Sequence, residues 1–302
     1  MPATDKRAAY ALFALVVLTT ACGNLSQTAV NAMMMGIVAD MGVTVELGQW
    51  LSTGYMLMLG VAVPAVTWIS KRFSARQHVL LALGLSLAGS LMCAEALGFW
   101  VLLAGRILQP VSTGILLPFM TTIAMVSFPP GRQATAMGIA GVAMGFAPNI
   151  GPTVGGAMAS AWGWRSFFVL LAALTCVLAV CALVMVKPSK PQDASARLDT
   201  VSLILSTLGL GGVLLGFSNA SSFALSSPYV WVPLVAGAAV CAAFVVRQKR
   251  LDSPLIDLGV FGSRRFNAGF AAQNLLFASF MGVTLVVPLY VEGLCGGTAL
   301  QA

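Results

Sequence analysis

The sequence predicts an all-α polytopic membrane protein, and three observations carry that prediction. Of its 302 residues 59% are hydrophobic and only 8% are charged, where a soluble domain carries about 25%. Mean hydropathy is +0.93. Charged and turn residues divide the chain into nine apolar runs, each near or above the roughly 20 residues a membrane helix needs. Secreted, disordered and collagen-like classes are excluded on the same grounds. The 31 Gly and 14 Pro fit this class, because both are commoner in membrane helices than in soluble ones.

The runs are 9–37, 48–69, 79–97, 100–126, 134–160, 165–186, 200–219, 229–247 and 267–291. Met1 to Arg7 is short and basic, like the start of a signal peptide. The uncharged run from Ala8 to Ala39 is too long for a signal core, so it reads as a retained first span. Six spans make a first bundle, residues 1–187. A basic linker, 188–199, carries Pro188 and Pro191. An additional helix pair follows, 200–247, then a loop, 248–266, and a last span within 267–302. That loop mixes charges with Leu251, Leu255, Ile256, Leu258, Val260 and Phe261. It is either an ordinary loop or an interfacial amphipathic segment.

Charge placement orients the spans. Lys6, Arg7, Lys71, Arg72, Arg76, Arg132, Lys187, Lys190, Arg197, Arg247, Lys249, Arg250, Arg264 and Arg265 fall on one side. Only Arg165 falls opposite, with Arg106 inside a span. The positive-inside rule makes the basic side cytoplasmic and predicts a multi-pass protein of the cell (inner, cytoplasmic) membrane with its N-terminus inside. Topology therefore accounts for the net charge of +7 without nucleic acid as a partner. Asp40, Glu46, Glu95 and Glu292 lie on the other side. Nine spans end outside, and Gly-Thr-Ala-Leu-Gln-Ala follows the last directly, so the helix set reads as incomplete.

The six cysteines have no CxxC and no regular spacing, and five sit inside apolar runs; they read as small core residues, with no disulfide or metal framework. His78 stands alone beside Arg76 in the loop expected before span 3. No HExxH, phosphate-binding loop or GxSxG occurs. An enzyme is not expected, nor is a cofactor.

Ionisable and polar groups inside spans are expensive and point to function. Arg106 either snorkels to the nearby interface or stands as a fixed charge facing an aqueous cavity. Asn24, Gln27, Thr28 and Asn31 recur at helical spacing, so they share one face of span 1. That face either hydrogen-bonds other helices or walls a substrate cavity. Met33, Met34, Met35, Met56 and Met58 read as core or lipid-facing residues, with adaptable cavity surface as the alternative. In span 5, Gly141 and Gly145, then Gly151 and Gly155, are four apart, next to Gly156. Removing side chains on such rows lets another helix approach, and Pro148 and Pro152 remove helix hydrogen bonds and favour a bend. Packing alone or a rocking hinge would use both features.

At these residues the chain resembles the major facilitator superfamily, and within it the 14-helix EmrB/QacA-type drug:proton antiporters. Gly151-Pro152-Thr-Val-Gly155-Gly156 is similar to the antiporter signature of helix 5, and Trp162-Gly163-Trp164-Arg165 to the start of helix 6. Arg106-Ile-Leu-Gln109-Pro110 resembles the R-x-x-Q-G motif of helix 4, with Pro110 for Gly. Leu25 to Asn31 resembles the helix 1 motif L-D-x-T-I-V-N, and Gln49-Trp50 and Tyr55 match helix 2. Two departures stand out. Ser26 occupies the place of the helix 1 Asp. In the loop after span 2, Lys71, Arg72 and Arg76 are present, but Lys71 replaces an Asp and Ser74 a Gly. Together these resemble a lincomycin-resistance-type subgroup.

The resemblance implies a secondary active transporter that exports amphipathic drugs or other small molecules by proton antiport with alternating access. Five further helices would complete it. A truncated, non-transporting membrane fragment is the alternative. By the same resemblance Gln27, Thr28, Asn31, Tyr55, Gln109 and Asn149 line a substrate cavity, and Arg106 supplies proton coupling or electrostatics. No carboxylate lies deep in a span, so an essential one would be Asp40, Glu95 or a residue of the missing half. The partners implied are the lipid bilayer, a small-molecule substrate and protons. The sequence does not set the oligomeric state.

Overall fold

The structure, a computed structural model, describes residues 3–186, 199–220, 224, 226–251, 254 and 258–293, and of these the side chains from 8 to 279. Among the described residues there are helices and no strands. They are α1 (Ala3–Met41), α2 (Val45–Gly48), α3 (Trp50–Ala62), α4 (Val66–Arg72), α5 (Ala75–Ala94), α6 (Phe99–Ser127), α7 (Pro130–Trp162), α8 (Arg165–Met185), α9 (Thr200–Asn219), α10 (Pro228–Gln248) and α11 (Arg264–Gly293). Each of the nine apolar runs coincides with a long helical segment. Among the described residues, seven of these segments are by length and composition apolar enough to cross a membrane, and α7 is not one of them. In α7 the Gly, Ala, Pro and Asn residues that allow close packing also lower the hydropathy.

Local chemistry explains the breaks. Gly42 ends α1 at φ +62° and Gly163 ends α7 at φ +81°, a region that disfavours other residues. Pro64 lacks an N–H, and the second span passes through a 3₁₀ turn, Val63–Ala65, between α3 and α4. At α5 the Ser74 hydroxyl accepts from the Gln77 amide while the Gln77 side chain accepts from the Ser74 amide, a capping box.

His78 is a correction. It does not sit in a loop but in the first turns of α5, fully buried. Its ring stacks on Phe119 at 4.1 Å, and Nε2 lies 3.2 Å from the Ile115 carbonyl. The uncharged Gln77 and the cap at Ser74 extend the helix past the boundary that charge counting suggests.

Residues up to Arg247 form one compact unit. Two apolar cores fill it. One gathers Val16, Val79, Leu83, Leu116 and Phe119 near the end that carries the basic loops. The other gathers Val30, Ile37, Leu51, Leu102 and Phe167 near the opposite end. α9 packs beside α3, where Leu57 and Leu214 reach the glycines Gly211 and Gly60. At the basic end α9 and α10 are joined by a clasp. Asp199 caps Ser202 and pairs with Arg247 at 3.0 Å, and Arg247 Nε donates to the Ser202 hydroxyl at 3.1 Å. Burial raises the Asp199 pKa, but hydrogen bonds from Ser202 and Arg247 and the guanidinium charge outweigh it, so the net shift is downward. The linker residues 187–198 lie outside the described residues.

The rest of the chain is a second unit. It holds a 3₁₀ turn, Leu258–Gly262, capped onto α11, where Phe261, Phe266 and Phe270 cluster with ring centroids 5.2 to 6.2 Å apart. Leu255 and Ile256 of the expected amphipathic segment lie outside the described residues.

Candidate functional site

The site is built where α1, α3, α5 and α6 meet, between the two apolar cores. Arg106 in α6 is fully buried. Its Nη1 donates to the Ser26 hydroxyl at 2.9 Å and to Gln109 Oε1 at 2.9 Å. Its Nε donates to the Leu51 carbonyl at 3.3 Å. The guanidinium lies 4.3 Å over the centre of the Tyr55 ring, and the Tyr55 hydroxyl donates to the Gly23 carbonyl at 2.8 Å. Gln109 Nε2 donates to the Ser90 hydroxyl at 2.9 Å. Every partner is neutral. Among the described residues no carboxylate pairs with Arg106, and no group accepts from its Nη2.

Snorkelling is therefore not what Arg106 does; its charge stays inside. The helices can converge on it because small residues line their crossings. The Gly89 and Gly105 backbones meet so closely that a Cβ on either would stand 2.8 Å from the other's carbonyl. That contact lies next to Arg106, so α5 approaches α6 closely enough for Ser90 to reach Gln109.

α1 is seated by α7. Gly151 faces Thr28 and the Leu25 carbonyl, and Gly155 faces Ala29, with Cβ-equivalent distances of 2.7 to 2.9 Å to the Leu25 and Ala29 carbonyls. These contacts flank Ser26 and fix where its hydroxyl stands. The other glycines of the set do not meet another described helix of this chain. Gly141, Gly145 and Gly156 meet no atom within 4 Å of an added Cβ. The reason is helical phase. The buried row of α7 runs Ala136, Ala140, Ala147, Gly151 and Gly155. Gly141 and Gly156 each stand one residue past a member of that row, and Gly145 one past Met144 on the same phase, about 100° around the helix. α7 itself runs unbroken through Pro148 and Pro152.

The other expected site residues are dispersed. Tyr55, Gln109 and Arg106 come together. Gln27 is half-buried outside the cluster. Thr28 is turned against α7, bonding the Leu25 carbonyl at 3.3 Å. Asn31 is exposed and accepts from the Ser52 hydroxyl at 2.6 Å. Asn149 is exposed and donates to the Gly145 carbonyl one turn back. Asn24 reaches Met144 of α7. In the loop motif Lys71 and Arg72 are exposed at the end of α4, and Arg76 donates to the Leu183 carbonyl of α8 at 2.9 Å. Ser26, which accepts from Arg106, and Ser90, which accepts from Gln109, complete the cluster, and sequence reasoning missed both. Ser26 was visible only as a missing acid, and Ser90 carried no motif.

At the opposite end Asp40, at the C-terminal end of α1, accepts from Arg165 at 2.6 Å and from the Trp164 indole at 3.1 Å. Arg165 also donates to the Ala96 carbonyl at 3.1 Å. This clasp ties α1, α8 and the α5–α6 loop together. Glu95 is exposed.

A family profile described as Major Facilitator Superfamily matches residues 16–300. The chain belongs to the Major Facilitator Superfamily. Relatives in that superfamily include the lincomycin resistance protein LmrB of Bacillus subtilis (strain 168), 34% identical over 90% of this chain and 57% of its own length. An uncharacterized MFS-type transporter, YhcA, of the same organism is 34% identical over 92% of this chain and 52% of its own. The multidrug export protein EmrB of Haemophilus influenzae (strain ATCC 51907 / DSM 11121 / KW20 / Rd) is 26% identical over 96% and 58%. This chain thus spans slightly more than half the length of these relatives. Among solved structures, the peptide transporter POT superposes with a TM-score of 0.61 at 16% identity, covering 94% of this chain and 60% of that one. That likeness concerns the fold. The superfamily consists of membrane transporters and not enzymes.

Proposed function

We propose that this chain forms the N-terminal part of a secondary transporter that exports amphipathic small molecules in exchange for protons. The single observation that carries the reading is the buried, acid-free Arg106. An uncompensated charge in an apolar interior costs several kcal/mol, roughly, and a residue that adds no matching stabilisation is retained for what its charge does. A positive centre held by a hydroxyl, a side-chain amide, a backbone carbonyl and a tyrosine face raises the local potential. It disfavours protonation of a nearby carboxyl group and repels a cationic substrate. Either effect links occupancy by one charge to departure of the other.

Relatives with resistance and multidrug-export names support an amphipathic substrate. Gln27, Asn31 and Asn149, which keep some exposure, are the polar contacts proposed for it. Gly141, Gly145 and Gly156 present an open, side-chain-free face of α7, suited to a second bundle that rocks against this one. The basic loops set the N-terminus on the cytoplasmic side.

The test is efflux by the full-length protein in proteoliposomes. Imposed pH gradients drive release of a lipophilic cation, and Arg106→Ala abolishes that dependence. Equal flux with and without the gradient, or an Arg106→Ala protein that behaves as wild type, overturns the reading.

A further inference from the structure

A cavity of about 550 Å³ opens where α2 and α3 face the C-terminal end of α9, on the end of the unit opposite the basic loops. Its walls include Glu46, Gln49, Trp50, Thr53, Ser218 and Asn219. This volume falls in the range of small-molecule sites, roughly 300–1,000 Å³. It lies apart from the Arg106 cluster, and none of the transport reading depends on it.

Three features agree in sign. Gln49 joins α2 to α3 in helical conformation, so Glu46, Gln49, Trp50 and Thr53 recur at helical spacing and present one stripe. Among the described lining residues Glu46 is the one ionisable group, and it is exposed. Opposite it, α9 ends at Asn219, and a helix C-terminus carries partial negative charge on its last carbonyls. Trp50 keeps 39% of its surface exposed, and an indole face attracts organic cations. The basic side chain described at this end, Arg165, is engaged by Asp40. No described lining residue is cationic.

We propose that this groove binds an organic ammonium group, with the carboxylate of Glu46 and the face of Trp50 on the charge and Leu47, which also lines the groove, on an attached alkyl chain. Either a free amphipathic cation or the amine of a lipid headgroup presents that chemistry. The groove makes the added helix pair one wall of a ligand site, which gives α9 a role beyond lengthening the chain.

The test uses this chain in neutral detergent, with dodecyltrimethylammonium as the free probe and calorimetry and tryptophan fluorescence as readouts. Saturable binding is expected, with a fluorescence change that disappears in Trp50→Phe. Glu46→Gln weakens binding about fivefold and Trp50→Ala by a similar factor, roughly what a partly exposed charge and a cation–π contact supply. Glu46→Asp retains most of it, and uncharged dodecanol does not compete. Nanodiscs rich in phosphatidylethanolamine, set against phosphatidylglycerol nanodiscs, separate the two sources. Loss of probe binding only in the former assigns the site to the headgroup amine; equal binding in both assigns it to a free cation. The proposal is overturned by absence of saturable binding, or by binding that Glu46→Gln and Trp50→Ala leave unchanged while circular dichroism shows both variants folded.

Discussion

Arg106 and Arg165 are both arginines lying over an aromatic ring at 4.3 Å, and they differ in everything else. Arg165 stands at a helix end with 44% of its side chain exposed, paired to Asp40 at 2.6 Å. Arg106 is fully buried among neutral groups. The first arrangement is what an arginine does for structure: it ties three elements at an edge, where water shares the charge. The second holds a charge where water cannot reach and supplies no counter-charge. The contrast is between a cation with a counter-charge at an edge and one without a described counter-charge in the interior, and the proposed function rests on the second.

The largest expected effect comes from displacing α1, which carries one ligand of Arg106. Gly151→Val drives a side chain into Thr28 and the Leu25 carbonyl and lowers stability by about 3 kcal/mol. Gly156→Val, on the open face of the same helix, changes it by less than about 0.5 kcal/mol. Thermal melting of the two purified variants checks this, and equal losses would break the assignment of the buried row. Next, Ser26→Asp gives Arg106 what Arg165 already has. A carboxylate where the hydroxyl sits at 2.9 Å raises stability by about 2 kcal/mol. A fall in melting temperature would show that the cluster has no uncompensated charge to satisfy.

A smaller effect is expected of Tyr55→Leu. It removes the ring beneath the guanidinium and the bond to the Gly23 carbonyl, for about 1–2 kcal/mol. Trp164 is buried in the second apolar core, so Trp164→Leu also costs packing, but its coupling to Arg165 is smaller, since water already solvates that guanidinium. Double variants with Arg106→Met and Arg165→Gln measure both couplings. The Asp199–Arg247 clasp shows its effect in pH. The folded-state pKa of Asp199 lies below its unfolded value, so its stabilisation is fully present above about pH 4 and is lost as pH falls further, through the folded value. The melting difference between wild type and Asp199→Asn therefore narrows below pH 4. A gap that widens there contradicts the sign. Arg165→Gln is the smallest of all, a barely detectable shift that shrinks further in high salt.

Much of the fold was legible because a membrane helix announces itself by length and by the charges that bound it. Family resemblance puts Arg106, Gln109 and Tyr55 in one expected cavity with Gln27, Thr28, Asn31 and Asn149, and in the structure the first three meet. It did not show Ser26 and Ser90, because hydroxyls are common in membrane helices and their partners depend on rotations that charge counting does not see. The same blindness affected α7. Gly141, Gly145, Gly151, Gly155 and Gly156 look alike in sequence, yet one residue of phase decides which pair bears on α1. Arg76 beside His78 suggests a water-facing loop, but the capping box at Ser74 begins the helix before it. Thr28 and Asn31 share a stripe with Gln27, but α7 takes the first and Ser52 the second.

The central claim is that Arg106 is kept for what its charge does and not for stability. Replacing it with methionine in the full-length protein, and following gradient-driven efflux on a preparation whose melting is recorded alongside, tests this directly. The account predicts a melting temperature equal to or above wild type, with efflux no longer responding to the pH gradient. A protein that melts several degrees lower yet keeps gradient-driven efflux would contradict it.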